Sequence, residues 1–366
     1  MPEKPALCCP LWIQGVFLLR GYNHNGFERP GEGRDFIMKK AAKWCLPALV
    51  ILCLMGCSQN SVADTQRQTA ATDVKQDAEP AAEADLKTAY PLTITDATGK
   101  EITFEKAPER IVSTSPAETE ILFALGLGEQ VVGVSDYDDY PAETQSKPKV
   151  GGVTSPNEEA ILAQSPDLVI GGISLERPVA EKLQSLGMPV YISHPSSLEE
   201  IMQNILTVGV ITDRQQQAEA IVAQMKTDIE RVTSAVKDIP AEERKKVYIE
   251  FAPGWTVGKG EYMDELITLA NGINIAADTE GWNQISEEKV LLEDPDVILF
   301  ADGVTDSATG ESLEQIILNR SGWDKIKAIE NGQVIGLDQN ILSRPGPRIT
   351  QGLVDVAKAM YPDRVK

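Results

Sequence analysis

One fourteen-residue phrase is written twice in this chain. NEEAILAQSPDLVI (Asn157–Ile170) and SEEKVLLEDPDVIL (Ser286–Leu299) lie 129 positions apart and share Glu, Glu, Leu, Pro and Asp at matching places. Each copy reads as a helix with an acidic first turn, a Pro-Asp break and a buried strand. A step placed once in each half constrains the chain to two similar lobes. Its 366 residues suffice for both, since single cores stop growing near ~250–300 residues.

The rest of the chain keeps the same grammar. Short β-rich runs at Ile111–Ser115, Val131–Ser135, Leu168–Ile170 and Val190–Ser193 alternate with helical patterns such as Glu118–Leu125 and Glu158–Gln164. The alternation restarts at Val247–Phe251, Val297–Phe300 and Val334–Leu337, with Met263–Ala270 as one helix between. This predicts an α/β fold with mainly parallel sheets, in lobes of residues 90–195 and 241–366. Residues 196–240 connect them. There Ser197-Leu198-Glu199-Glu200 predicts a capping-box helix start. Ala218, Ile221, Val222, Met225, Ile229, Val232 and Val236 then follow a helical period from Arg214 to Val236, about 35 Å of helix. That length suits a strut between lobes; the alternative is a covering helix of one of them. Aspartate after proline suits a helix-to-strand turn, so Pro166/Asp167 and Pro295/Asp296 read as structural.

Residues 38–57, MKKAAKWCLPALVILCLMGC, have three lysines, a short apolar stretch and a Gly56-Cys57 exit. They resemble a lipoprotein signal with lipobox LMGC, in which Cys57 is lipidated and holds the protein to the extracytoplasmic face of the membrane. The apolar run falls short of the ~20 residues that span a bilayer. Residues 1–37 then read as an extension from a start codon placed too early. All five cysteines (Cys8, Cys9, Cys45, Cys53, Cys57) lie at or before the lipobox, so the folded part relies on its cores. Residues 58–89 lack aromatics and nearly all large apolar side chains, the composition of a disordered tether.

Charge excludes some partners. The formal net charge of −21 opposes nucleic acid, whose binding needs Lys and Arg against phosphate, and opposes a basic hold on anionic lipid. Glu158-Glu159 and Glu287-Glu288 occupy helix first turns, where the macrodipole favours them. Two matching pairs on two lobes also make a symmetric acidic fork.

Taken with RIVSTSPAETEILFALG (Arg110–Gly126), VVGVSDYDDYP (Val131–Pro141), VGKGEYMDELITLANGINIA (Val257–Ala276) and SRPGPRI (Ser343–Ile349), the repeat resembles the cobalamin- and iron-siderophore-binding proteins of ABC importers. The resemblance spans about Leu92 to Met360. It implies two Rossmann-like lobes joined by one long helix, the chelatase-like fold of such receptors. It further implies a monomer without a cofactor of its own that captures a metal chelate in the cleft and delivers it to the permease dimer and its ATPase. One glutamate per lobe docks on the permease in that family, and the matching positions are Glu159 and Glu288. Ligand contacts map to Tyr137, Trp282 and Arg344. Position at strand ends adds Ser115, Pro116, Glu118, Asp136 and Trp255, the helix start after Ser115 offering unpaired N–H groups. Val153 and Gly172 stand where the cobalamin binder has tryptophans, which leaves room for another corrinoid, a ferric siderophore or haem.

Other classes are weighed against this. A free-metal receptor needs clustered histidines and carboxylates, and His194 is the one histidine beyond the lipobox. An enzyme lacks its usual marks: no cysteine in the folded part, no Gly-x-Ser-x-Gly elbow, and a Gly258-Lys259-Gly260 too short for a phosphate loop. His194, before Pro195 at a strand end, reads as structural. A sensory or adhesive surface protein on the same scaffold is the remaining alternative.

Overall fold

The computed structural model describes residues 86–365. The upstream extension, the lipobox with Cys57, and the tether up to residue 85 lie outside the described residues. The chain is pinned from Thr88, slightly before the expected end of the tether. Thr88 N donates to Asp213 Oδ1 (2.8 Å), Thr88 Oγ1 to the Val210 carbonyl (2.6 Å), and the Tyr90 hydroxyl to the Ile211 carbonyl (2.8 Å).

A hairpin of β1 (Leu92–Thr95) and β2 (Glu101–Phe104) precedes the first lobe. That lobe runs β3 (Ile111–Ser113), α1 (Pro116–Ala124), β4 (Val131–Gly133), α2 (Glu158–Ala163), β5 (Leu168–Gly172), α3 (Arg177–Ser185) and β6 (Val190–Ser193). Two helices follow, α4 (Leu198–Ile211) and α5 (Gln215–Val236). The second lobe runs β7 (Lys246–Glu250), β8 (Trp255–Val257), α6 (Tyr262–Leu269), β9 (Ile273–Asn274), β10 (Trp282–Gln284) and α7 (Glu287–Glu293). It ends with β11 (Val297–Asp302), α8 (Leu313–Asn319), α9 (Lys327–Glu330), β12 (Val334–Asp338), α10 (Gln339–Ser343) and α11 (Ile349–Met360).

There are two separate four-stranded parallel sheets, ordered β4-β3-β5-β6 and β9-β7-β11-β12. The orders superpose, so β5 and β11, the strands of the repeat, hold the same inner place. Both are apolar runs covered on both faces, as parallel strands must be. The Pro-Asp break has one job in both lobes. Ser165 and Asp294, the residues before each proline, adopt left-handed φ values of 47° and 48° that end the helix. The following aspartate then holds the start of the neighbouring strand. Asp167 accepts from the Glu109 and Arg110 N–H groups at the entry to β3, and Asp296 accepts from Lys246 N at the entry to β7.

Between the lobes, α5 runs 22 residues and buries Ala218, Val222, Met225, Val232 and Val236. It packs on α4 at one side and on α6 and α11 of the second lobe at the other, so it is the strut. Gly209 makes the approach of α4 to α5 feasible: a Cβ there would lie 2.5 Å from the Ala218 Cβ. The expected capping box at Ser197 forms only in half. Ser197 Oγ accepts from Glu200 N, but the Glu200 carboxylate turns to Ser196, accepting from its N–H and its hydroxyl at 2.7 Å each. Glu265 from α6 instead takes the Leu198 N–H (2.7 Å), a tie to the second lobe that local sequence does not reveal.

Candidate functional site

In both lobes the C-terminal ends of the parallel strands point into the gap between them, where α/β sheets place ligands. The gap is a cavity of about 580 Å³. Asp136, Tyr137, Asp138 and Asp139 reach it from the loop after β4, and Asp302 and Asp338 from the ends of β11 and β12. The last two are register partners on adjacent strands. Like charges placed side by side cost some stability, and each has local work to do: Asp302 Oδ1 accepts from Gly303 N (2.8 Å). Asp338 Oδ1 also caps α10 by accepting from Asn340 N (2.8 Å) and Ile341 N (3.2 Å).

Among the described residues one cation, Arg344, lines the cavity, with five aspartates. Its guanidinium is already engaged: Nη1 donates to Glu120 Oε1 (2.9 Å) and to Asp139 Oδ1 (2.6 Å) across the lobe boundary. Arg348 reaches the same Glu120 through Nε (2.8 Å) and Nη2 (2.6 Å), and lies 4.0 Å from the Tyr140 ring centre. Asn340 Nδ2 adds a bond to Asp139 Oδ2 (3.1 Å). The SRPGPR loop is therefore a clamp from the second lobe onto α1 and the β4 loop of the first.

Two acids of the first lobe are buried, Glu118 and, within the cavity lining, Asp138. Glu118 is 1% exposed, takes a hydrogen bond from the Ser193 hydroxyl through Oε1, and has no partner for Oε2 among the described residues. Burial pushes its carboxyl above the usual range, against the opposing pull of the Ser115 and Ser193 hydroxyls. Asp138, also 1% exposed, is bonded by the Ser135 hydroxyl. Burial raises it too, while the charges of Lys149 and Arg344 oppose the shift.

Of the expected contact residues, Pro116, Asp136, Tyr137 and Arg344 line the cavity. Ser115 and Glu118 do not; both are buried. Pro116, the first residue of that helix, lies at the cavity, while Glu118 of the same turn is buried. Gly172 abuts the same group, a Cβ there lying 3.8 Å from both Glu118 carboxylate oxygens. Trp255 and Trp282 fall on the antiparallel ribbon β8–β10, outside the cavity lining. Trp282 leans edge-on against Phe251, ring centres 4.9 Å apart. Sequence reasoning missed Glu120, Asp139, Arg348, Asp302 and Asp338. The first three gain meaning only through contacts over 200 positions apart. Asp302 and Asp338 carried a signal, an aspartate at the end of each of two apolar runs.

These two lobes, their shared strut and their cleft match known proteins. A family profile described as periplasmic binding protein matches residues 111–341. The chain belongs to the periplasmic binding protein family. It is 31% identical over 335 residues to an uncharacterized ABC transporter substrate-binding lipoprotein of Bacillus subtilis, covering 90% of this chain and 99% of that one. It is 30% identical over 286 residues to a cobalamin-binding protein of Halobacterium salinarum, covering 76% and 77% of the two chains. Among solved structures, the periplasmic heme-binding protein RhuT from Roseiflexus superposes with a TM-score of 0.63 at 31% identity. That match covers 69% of this chain and 98% of the other. The family member described here is thus a substrate-binding protein of an ABC transporter, extracytoplasmic in its place of action, and its relatives are binding proteins rather than enzymes. No helix among the described residues is long and apolar enough to cross a membrane.

Proposed function

We propose that this protein is the receptor lipoprotein of an importer for a corrinoid, held at the membrane by lipid on Cys57 and working as a monomer. The observation that carries the ligand class is the charge of the cleft. Among the described residues four exposed aspartates (Asp136, Asp139, Asp302 and Asp338) and the buried Asp138 line it, and the one arginine is spoken for by Glu120 and Asp139. Such a lining suits a neutral or cationic chelate whose rim is rich in amide N–H donors, because charge-assisted hydrogen bonds to carboxylates are about twice as strong as neutral ones. It disfavours chelates that carry carboxylates or catecholates on their rim, which like-charge juxtaposition would penalise. Relatives named for cobalamin and vitamin B12 support the same class. Tyr137 supplies a flat apolar face within the polar lining. Trp255 and Trp282 would extend the contact only for a ligand reaching past the cavity.

The test is titration of the purified protein, followed by tryptophan fluorescence, with cyanocobalamin, a ferric hydroxamate, a ferric catecholate and haem. Saturable quenching by cyanocobalamin, with none by the catecholate or haem, is the expected result. Tighter binding of haem than of cyanocobalamin overturns the reading.

A further inference from the structure

The charges around the cleft do not cancel. Arg344 and Arg348 are held by Glu120 and Asp139, and Lys149 Nζ donates to the carbonyls of Ser135 and Asp138 (3.1 Å each). Asp136, Asp302 and Asp338 are exposed in the cavity lining and have no ion-pair partner among the described residues. The Asp338 charge reaches Arg348 through space, behind that of Glu120, without an ion pair. These three come from both walls: Asp136 follows β4 of the first lobe, and Asp302 and Asp338 end β11 and β12 of the second.

A second observation comes from inside the wall. Asp138 lines the cavity at 1% exposure, and its Oδ1 has no hydrogen-bond partner among the described residues. The Thr119 hydroxyl beside it is unmet as well. A buried acceptor left in this state calls for a donor or a positive charge in front of it. Uncharged lining residues such as Gln145 and Gln339 can bond the amides of any chelate and give no preference for its charge. The carboxylates do. In a cleft with low-dielectric walls such charges focus into a potential of several kT, and a unit charge in ~2.3 kT gains about tenfold in affinity.

We propose that the cleft selects its chelate by net positive charge, taking cationic corrinoids ahead of neutral ones. A trivalent metal in the monoanionic corrin ring carries two positive charges. Cyanide as axial ligand cancels one and the phosphate of the nucleotide arm cancels the other, so cyanocobalamin is neutral. Water in place of cyanide restores one positive charge with the rest of the molecule unchanged. The water-ligated corrinoid is therefore the preferred cargo. That the chelate is a corrinoid rests on the function proposed above; selection by charge rests on the lining.

The test titrates the purified protein with two pairs of probes in which charge changes and shape hardly does. One pair is aquocobalamin against cyanocobalamin, near pH 6. The other is a ferric hydroxamate with a free amino arm against the same chelate acetylated on that arm. The cationic member of a pair should bind about tenfold tighter at ~10 mM salt. The gap should close at ~1 M salt, where the screening length has fallen from ~30 Å to ~3 Å. Asp302→Asn/Asp338→Asn should narrow the ratio within a pair to about threefold or less. Asparagine keeps the acceptor that each aspartate offers to the backbone, so the variant retains its turn and its helix cap. Equal binding within a pair that binds, a gap undiminished by salt, or a ratio unmoved in the variant overturns the proposal. A gap for the aminated hydroxamate with no corrinoid bound leaves charge selection standing and removes the corrinoid reading. No binding of any probe overturns both.

Discussion

Glu118 illustrates how one side chain carries opposing demands. Its carboxyl, raised by burial, binds protons in the folded protein at a pH where the unfolded chain has already released them. Stability therefore falls as pH rises from the ordinary carboxylate range towards the raised value, because the folded state holds more protons there. Glu118→Gln removes this cost. The variant should melt a few degrees higher than the parent near pH 8, and the gain should vanish near pH 4, where both carry an uncharged side chain; a gain independent of pH, measured by thermal melts, would contradict the buried-charge account. Tyr137 is half-buried on the cleft, and Tyr137→Ala should weaken cyanocobalamin binding on the order of tenfold, about 1.4 kcal/mol, with the melting temperature unchanged. Fluorescence titration reads this directly, and an unaltered Kd removes the ring from the contact.

At the scale of elements, the interlobe clamp and the turn between α4 and α5 set how the lobes meet. Glu120 is 3% exposed and serves two guanidinium groups. Glu120→Ala leaves Arg344 and Arg348 facing each other without it, and should destabilise by about 3 kcal/mol in denaturant unfolding. Gly209→Val forces a side chain into the space of Ala218, and should cost about 1–3 kcal/mol by the same measurement. The elements themselves were largely readable. Both sheets, the strut and the Pro-Asp steps declare themselves through periodicity and local turn chemistry, which act within a few residues. Half of the Ser197 box was misread because a glutamate has two places to turn, and Glu265, 67 positions away, took up the helix start. The cleft was half legible for the same reason. A strand end can be located from its own sequence, whereas the pairing of Arg344 with Glu120 and Asp139 depends on the approach of two lobes that no local pattern encodes.

Across the whole molecule, two sheets of the same strand order stand on one shared foundation. Buried residues of the first lobe such as Ile121 and Leu122, residues of the strut such as Val222 and Met225, and residues of the second such as Tyr248 and Leu353 belong to a single apolar cluster. Among the described residues, only one face of the first sheet, around Val112, Val169 and Leu183, has a core of its own. A protein built this way should unfold in one transition, with fluorescence and far-ultraviolet circular dichroism coinciding in denaturant, and two separate transitions would show the lobes to be independent.

The unbroken apolar foundation has a mechanical corollary. Halves cemented along their base cannot gape like a trap, since opening wide would wet the seam that joins them. Cargo is then held by its contacts with the cleft lining rather than by a wide closing movement of the halves.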